Sequence, residues 1–153
     1  MSIYGDRAVA LHHEGFSCSQ SVVASLCEEY GIDRVTALRF AAAFGSGIGH
    51  STETCGAITG AMMLIGLKMG KCMPDDPDHG ERCYEVAQEF MKRFQEQNNG
   101  CFKCRDLLGA DSNTPEGVKY IEENDLYEKK CNGFIRCGAE LIAELLKGES
   151  KDV

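Results

Sequence analysis

The chain of 153 residues lacks a hydrophobic run long enough to cross a membrane. Its longest apolar stretch, 55–67, is broken by Gly56, Thr59, Gly60 and Gly66, and a bilayer asks for roughly 18–20 apolar residues. Residues 1–15 lack the apolar core of a signal peptide, since Asp6, Arg7, His12, His13 and Glu14 fall there. Both absences predict a cytoplasmic protein with no membrane contact. Basic excess is missing too. Sixteen Lys and Arg face 24 Asp and Glu, a net charge of −8, which argues against nucleic-acid binding because that binding needs a basic patch. Neither an alternating strand pattern of useful length nor an internal repeat is present. What remains is an ordinary globular composition, 43% apolar and 26% charged, of a size that suits one domain.

The apolar periodicity is helical throughout. It predicts an all-α, single-domain bundle of about six to seven helices over residues 1–147, followed by a frayed polar tail, 148–153. Segment 3–14 reads as the first helix. Ser17 and Gln20 form a capping box for segment 18–30, which Gly31 ends. Asp33 caps a helix over 34–44 with Val35, Leu38 and Ala42 facing inward. The glycine-rich stretch 45–53 is a loop. Segment 55–69, apolar nearly all round, is the expected central helix. Residues 71–79 make a surface connection, and a helix follows over 80–97 until Asn98-Asn99-Gly100. A short turn at 104–108 precedes a helix opened by Thr114-Pro115. The last helix spans about 126–147, with Cys131, Ile135, Ala139, Ile142 and Leu146 on one face.

Nine cysteines stand out in this framework. An odd number fits poorly with a complete disulfide set, and cytosolic disulfides are rare. Cys18, Cys55 and Cys104 each fall where a helix begins, where the helix dipole favours thiolate. That contribution is about 0.3–1 kcal/mol, against ~1.4 kcal/mol per pKa unit, so it moves a thiol only from about 8.5 toward 8. Full ionisation needs a cation, for which Lys103, Arg105, Lys129 and Lys130 are candidates, or a metal. Packing as a small apolar group accounts equally well for Cys18 or Cys55 taken singly. Cys27 and Cys83 read as core residues, Cys72 as an exposed loop residue, and Cys137 as a neighbour of Leu141 and Leu145. Cys101-Phe102-Lys103-Cys104 is the one Cys-x-x-Cys. It lacks the second Cys or His pair of a zinc knuckle and the βαβ setting of a thioredoxin-like motif. Among the histidines, His50 lies five residues before Cys55 and is the one to watch; His12, His13 and His79 read as surface residues. The glycines at 45–49 follow a helix and lack the Lys-Ser/Thr ending of a phosphate loop, so close helix approach explains them better.

Four of these segments occur in order at matching spacing: Gly15-Phe16-Ser17-Cys18-Ser19-Gln20-Ser21-Val22, Cys55-Gly56-Ala57-Ile58-Thr59-Gly60-Ala61, Cys104-Arg105-Asp106-Leu107-Leu108-Gly109, and Cys131 in the last helix. Together they resemble the redox-active CGAxxG four-cysteine family, over about residues 1–146. The resemblance implies a small all-helical cytosolic redox protein without an assigned reaction. It also implies kinship with the helical domain of split-Soret cytochromes c, dimers with an iron–sulfur centre beside haem. On that resemblance Cys18, Cys55, Cys104 and Cys131 hold the cofactor or metal, with Cys101 a substitute for Cys104. No Cys-x-x-Cys-His is present, so covalent haem is not expected.

Three functions follow. The first is electron transfer through a four-cysteine iron–sulfur centre of the 2Fe–2S kind, although no spacing matches the common ferredoxin runs. The second is thiol–disulfide redox chemistry through one cysteine pair. The third is a structural zinc site without a redox role. The redox partner is not named by the sequence. A homodimer is open, because periodicity does not decide whether helix 55–69 is core or interface.

Overall fold

Capping chemistry sets most helix boundaries in the computed structural model, which describes residues 2–149. Eight α-helices form among the described residues: α1 (Ile3–His13), α2 (Cys18–Leu26), α3 (Arg34–Ala41), α4 (Gly56–Met69), α5 (Pro77–Gln97), α6 (Cys104–Leu108), α7 (Pro115–Glu123) and α8 (Asn132–Lys147). The count slightly exceeds six to seven because the single-turn α6 stands as an element of its own. The fold is all-α, as expected. No strand forms among the described residues, and none of their helices is long and apolar enough to cross a membrane.

The Ser17 hydroxyl accepts from the Gln20 amide while the Gln20 side chain accepts from the Ser17 amide, so the expected capping box opens α2. Asp33 and Thr114 cap α3 and α7 through single side-chain bonds, accepting from the amides of Thr36 and Gly117. Helix α5 starts three residues earlier than expected, because Asp76-Pro77 is a cap followed by proline at the first helical position. That is the same signal as Thr114-Pro115, here hidden inside an apparent loop. The predicted segments 18–30 and 34–44 each end in a tighter turn, Cys27–Tyr30 and Ala42–Phe44. Glu149, expected in a frayed tail, pairs with Arg82 instead; the rest of that tail, 150–153, lies outside the described residues.

Helix α4 packs against α2, α5 and α8, and α2 also meets α1, α3 and α8. The core between them holds Val22, Leu26, Ile58, Leu64, Ile65, Phe90, Phe94, Ile135 and Ile142, and burial of each such side chain contributes about 1.5–3 kcal/mol. Phe90 and Phe94 stack with ring centroids 5.9 Å apart. Helix α3 departs from expectation. Its buried face is Ala37 and Ala41, whereas Val35 is 58% exposed and Ala42 also faces out. Small residues let α3 lie close on α2, and the larger apolar side chains turn to solvent.

Two glycines set the distance between α2 and α4. A Cβ on Gly56 would stand 2.7 Å from the Ser19 amide nitrogen and 2.8 Å from Cys18 Cβ; on Gly60 it would stand 2.8 Å from the Ser19 carbonyl oxygen. The blocking atoms are mostly backbone, which cannot swing aside. Gly60→Ala is therefore expected to destabilise the fold by about 1–3 kcal/mol. Gly66→Ala, on the same helix with nothing within 4 Å of an added Cβ, should gain about 0.5–1 kcal/mol. Thermal melting followed by circular dichroism checks both, and a Gly60→Ala melting point at or above wild type would contradict the close approach.

Candidate redox site

Four cysteines from four elements meet at one end of the bundle. Cys18 is the first residue of α2, and Ser19 and Gln20 tie that turn to α3 by bonds to the carbonyls of Ala41 (2.8 Å) and Leu38 (3.0 Å). Cys55 caps α4, its carbonyl accepting from the amides of Ile58 and Thr59. Because Gly56 lies against Cys18 Cβ, the starts of α2 and α4 are side by side.

Cys104 arrives by a pairing that helical periodicity does not foretell. The Cys55 amide donates to the Phe102 carbonyl (2.9 Å), the Cys104 amide donates to the Glu53 carbonyl (2.6 Å), and Thr54 and Lys103 form an antiparallel bridge between them. Arg105 locks this bridge, since its guanidinium lies 2.8 Å from the Glu53 carboxylate. Cys131 closes the group from the end of a π-helical turn, Tyr127–Cys131, that leads into α8. A π-turn adds a residue to the helical repeat and is most often found at functional sites. This turn packs on α6, and Lys130 donates to the Leu108 carbonyl (3.2 Å). The Cys131 side chain lies close enough to Cys18 to act on its thiol.

The loop before Cys55 is wound the wrong way. Ser46, Gly47, Ile48, Gly49 and His50 in succession, and then Thr52, all have φ between +51° and +72°. For a residue other than glycine this costs roughly 1–2 kcal/mol, and for β-branched Ile48 it is a genuine outlier. Bonds from the amides of Gly49, Thr52 and Glu53 back to Ala43, Ser46 and Gly47 hold the winding. Thr52 ends up buried, and its carbonyl accepts from the Arg105 amide. The glycine loop thus delivers Glu53, Thr54 and Cys55 to the pairing with 102–104.

The electrostatics run against the thiolate bias expected at helix starts. The Cys131 side chain and then burial push the Cys18 thiol well up. Burial, then the charge of Cys18, does the same to Cys55, and the lowering by the α4 amides is smaller. Cys104 is raised to about 11 by burial, with Cys18 and Asp111 adding to the shift. The cations proposed as counter-charges are engaged elsewhere. Lys103 and Arg105 pair with Glu53 and Lys130 holds the Leu108 carbonyl, while Lys129 is exposed. Desolvation outweighs the dipole because a helix end supplies only a fraction of one pKa unit.

The other cysteines stand apart. Cys101 is turned toward the Asn99 carbonyl (3.8 Å), and it and Cys104 are free thiols. Cys137 contacts Asn98 and Gln97, Cys27 is fully buried and Cys72 is exposed. His50 bonds Asn113 at the surface rather than a sulfur. Tyr127 is a residue that the sequence reading passed over. Burial raises its phenol, and so do the charges of Cys131, Cys104 and Cys18. Its spacing of four from Cys131 was the available signal. Among the described residues, no three His, Cys, Asp or Glu side chains are gathered tightly enough to hold a single metal ion.

The chain belongs to the family described as "Putative redox-active protein (C_GCAxxG_C_C)", whose model matches residues 16–145. No curated protein and no solved structure matches the chain significantly.

The raised thiols give the stability a pH dependence with a definite sign. Between the ordinary thiol value of 9.0 and about 11, the folded chain keeps a proton on Cys104 that the unfolded chain has released. Stability from this source is complete below pH 9 and is lost as pH rises toward 11. Urea unfolding of metal-free, reduced protein between pH 8 and 11 should show this decline, and Cys104→Ser should flatten it. A wild-type curve already flat over that range would contradict the burial of these thiols.

Proposed function

We propose that Cys18, Cys55, Cys104 and Cys131 together hold an iron–sulfur centre of the 2Fe–2S kind, through which the protein transfers electrons to a redox partner. The observation that carries this reading is the gathering of four thiols from four separate elements with no cation among them. Left to themselves, burial keeps Cys18, Cys55 and Cys104 protonated. A cationic centre displaces such protons and supplies the positive charge that the site lacks. When bound, it supplies one-electron chemistry at a potential tuned by burial and hydrogen bonds to sulfur.

A structural zinc ion asks four ligands to converge on one tetrahedral shell. Among the described residues no three such ligands gather tightly enough for that, although Cys18 lies within electrostatic reach of Cys55 and Cys104 and beside Cys131. Two irons that each take two thiolates ask for less convergence at any one point. The glycine loop and the Glu53–Arg105 pair hold the chain segments of Cys55 and Cys104 together, and the starts of α2 and α4 lie side by side.

One observation favours a second reading. The Cys131 side chain is the foremost influence on the Cys18 thiol, which makes these two the pair to form a reversible disulfide, releasing two electrons and two protons to an oxidising partner. Against it, the raised Cys18 thiol is a poor source of the attacking thiolate. Oxygen-free purification separates the two readings. The iron–sulfur reading predicts visible absorption and about two irons per chain, with iron lost in Ser variants of any of the four cysteines but retained in Cys27→Ser. Colourless protein with four titratable thiols would overturn it. A loss of two hydrogens mapped to Cys18 and Cys131 after mild oxidation would establish the disulfide instead.

A further inference from the structure

We infer that the cleft between α4 and α5 is a binding site for an uncharged, planar aromatic ring of the quinone class, seated against the main chain of Cys55. The cleft has a volume of about 780 Å³, within the range of small-molecule sites. Tyr84, Ala87, Gln88, Met91 and Gln95 recur at helical spacing along α5 and line one wall. Ile58, Thr59 and Met62 of α4 line the other, and Gly100 and Phe102 complete the lining. Four of these neighbours are bonded to Cys55 itself. Thr54 precedes it in the chain and also lines the cleft, and the Phe102 carbonyl accepts from the Cys55 amide (2.9 Å). The Cys55 carbonyl in turn accepts from the amides of Ile58 (2.9 Å) and Thr59 (3.1 Å). A molecule resting on these residues reaches the main chain of a cysteine that is itself only 5% exposed.

The lining selects the chemistry of the occupant. Ile58, Met62, Ala87, Met91 and Phe102 are apolar and buried or half-buried, so a charged group placed among them would lose its hydration without return. The charged lining residues, Lys92 and Glu96, are opposite in sign and stand exposed at the rim, which leaves the cleft without a net charge. Two thioethers and a phenyl ring favour a flat, polarisable ring over an aliphatic chain. The Gln88 amide and the Lys92 ammonium lie four residues apart, on one face of α5. Both can donate to carbonyl oxygens, which a bare hydrocarbon lacks. A planar ring that carries such carbonyls and is itself redox-active is a quinone. The choice of a redox-active ring rests on the redox role proposed for the four cysteines; the cleft and its lining do not.

The test is an oxygen-free titration of the reduced, metal-free, folded protein with tetramethyl-p-benzoquinone, followed by amide chemical shifts. The methyl groups of this probe leave no ring position open to thiol addition. The expected result is a dissociation constant on the order of 100 μM or tighter, with shifts centred on Thr54, Ile58, Thr59 and Phe102. Indole, planar and uncharged but without a carbonyl acceptor, should bind about tenfold more weakly. Ala87→Trp fills the cleft and should weaken quinone binding by about tenfold or more. Gln88→Leu, at an exposed position that keeps the fold, should weaken it by about fivefold. Shifts absent or centred elsewhere, indole binding as tightly as the quinone, or wild-type affinity in Gln88→Leu and in folded Ala87→Trp would overturn the site. Because no metal is involved, a failure here leaves the iron–sulfur reading untouched, and iron-free protein leaves the cleft's occupant untouched.

Discussion

The close approach of α2 to α4 is the constraint on which the rest of the molecule depends. Gly56 and Gly60 have no Cβ to hold the α2 backbone away, so Ser19 main-chain atoms and Cys18 Cβ occupy the space that side chains would fill. Two helix starts are thereby set together, and with them Cys18 and Cys55. On its other side α4 receives α8, where Gly138 rests against the Ala57 carbonyl and Ala57 Cβ, both close to 3 Å from an added Cβ. This second approach fixes the helix into which Cys131 leads. The glycines serve the site by removing volume; none of them has a chemical role there.

Gathering the thiols in this way works against their ionisation. Helix termini favour thiolate by a fraction of a pKa unit, while burial and the neighbouring sulfurs act in the opposite direction and by more. The same competition shapes the loop 45–53, where four residues other than glycine take a left-handed backbone. Its cost of roughly 1–2 kcal/mol per residue is offset by the bonds that hold the winding and by the pairing of 53–55 with 102–104. Both features are locally unfavourable and are sustained by surrounding structure. Such features concentrate at functional sites.

Much of the helical framework was legible because capping and periodicity are local. Ser17 with Gln20, Asp33, Thr114-Pro115 and Gly31 each announce a boundary within a few residues. Where the reading slipped, the decisive contact was more distant or the signal lay inside a loop. Asp76-Pro77 was taken into a surface connection, although it is the same cap seen at Thr114-Pro115. Val35 was expected inside on hydrophobicity, but the neighbour of α3 is α2, and only alanines allow the two to approach. Glu149 finds Arg82 across 67 residues of sequence, a partner that no local pattern reveals.

For the site, the sequence by itself determined which four cysteines carry the family pattern, since the order and spacing of their motifs are properties of the chain alone. It also determined that three of them stand at helix starts. Only the tertiary structure decided how they meet: Cys18 beside Cys131, the start of α4 against the start of α2, and Cys104 brought up by the backbone pairing of 53–55 with 102–104. It also decided their protonation, because desolvation depends on what covers a group, and what covers these sulfurs comes from elements that are far apart in the chain.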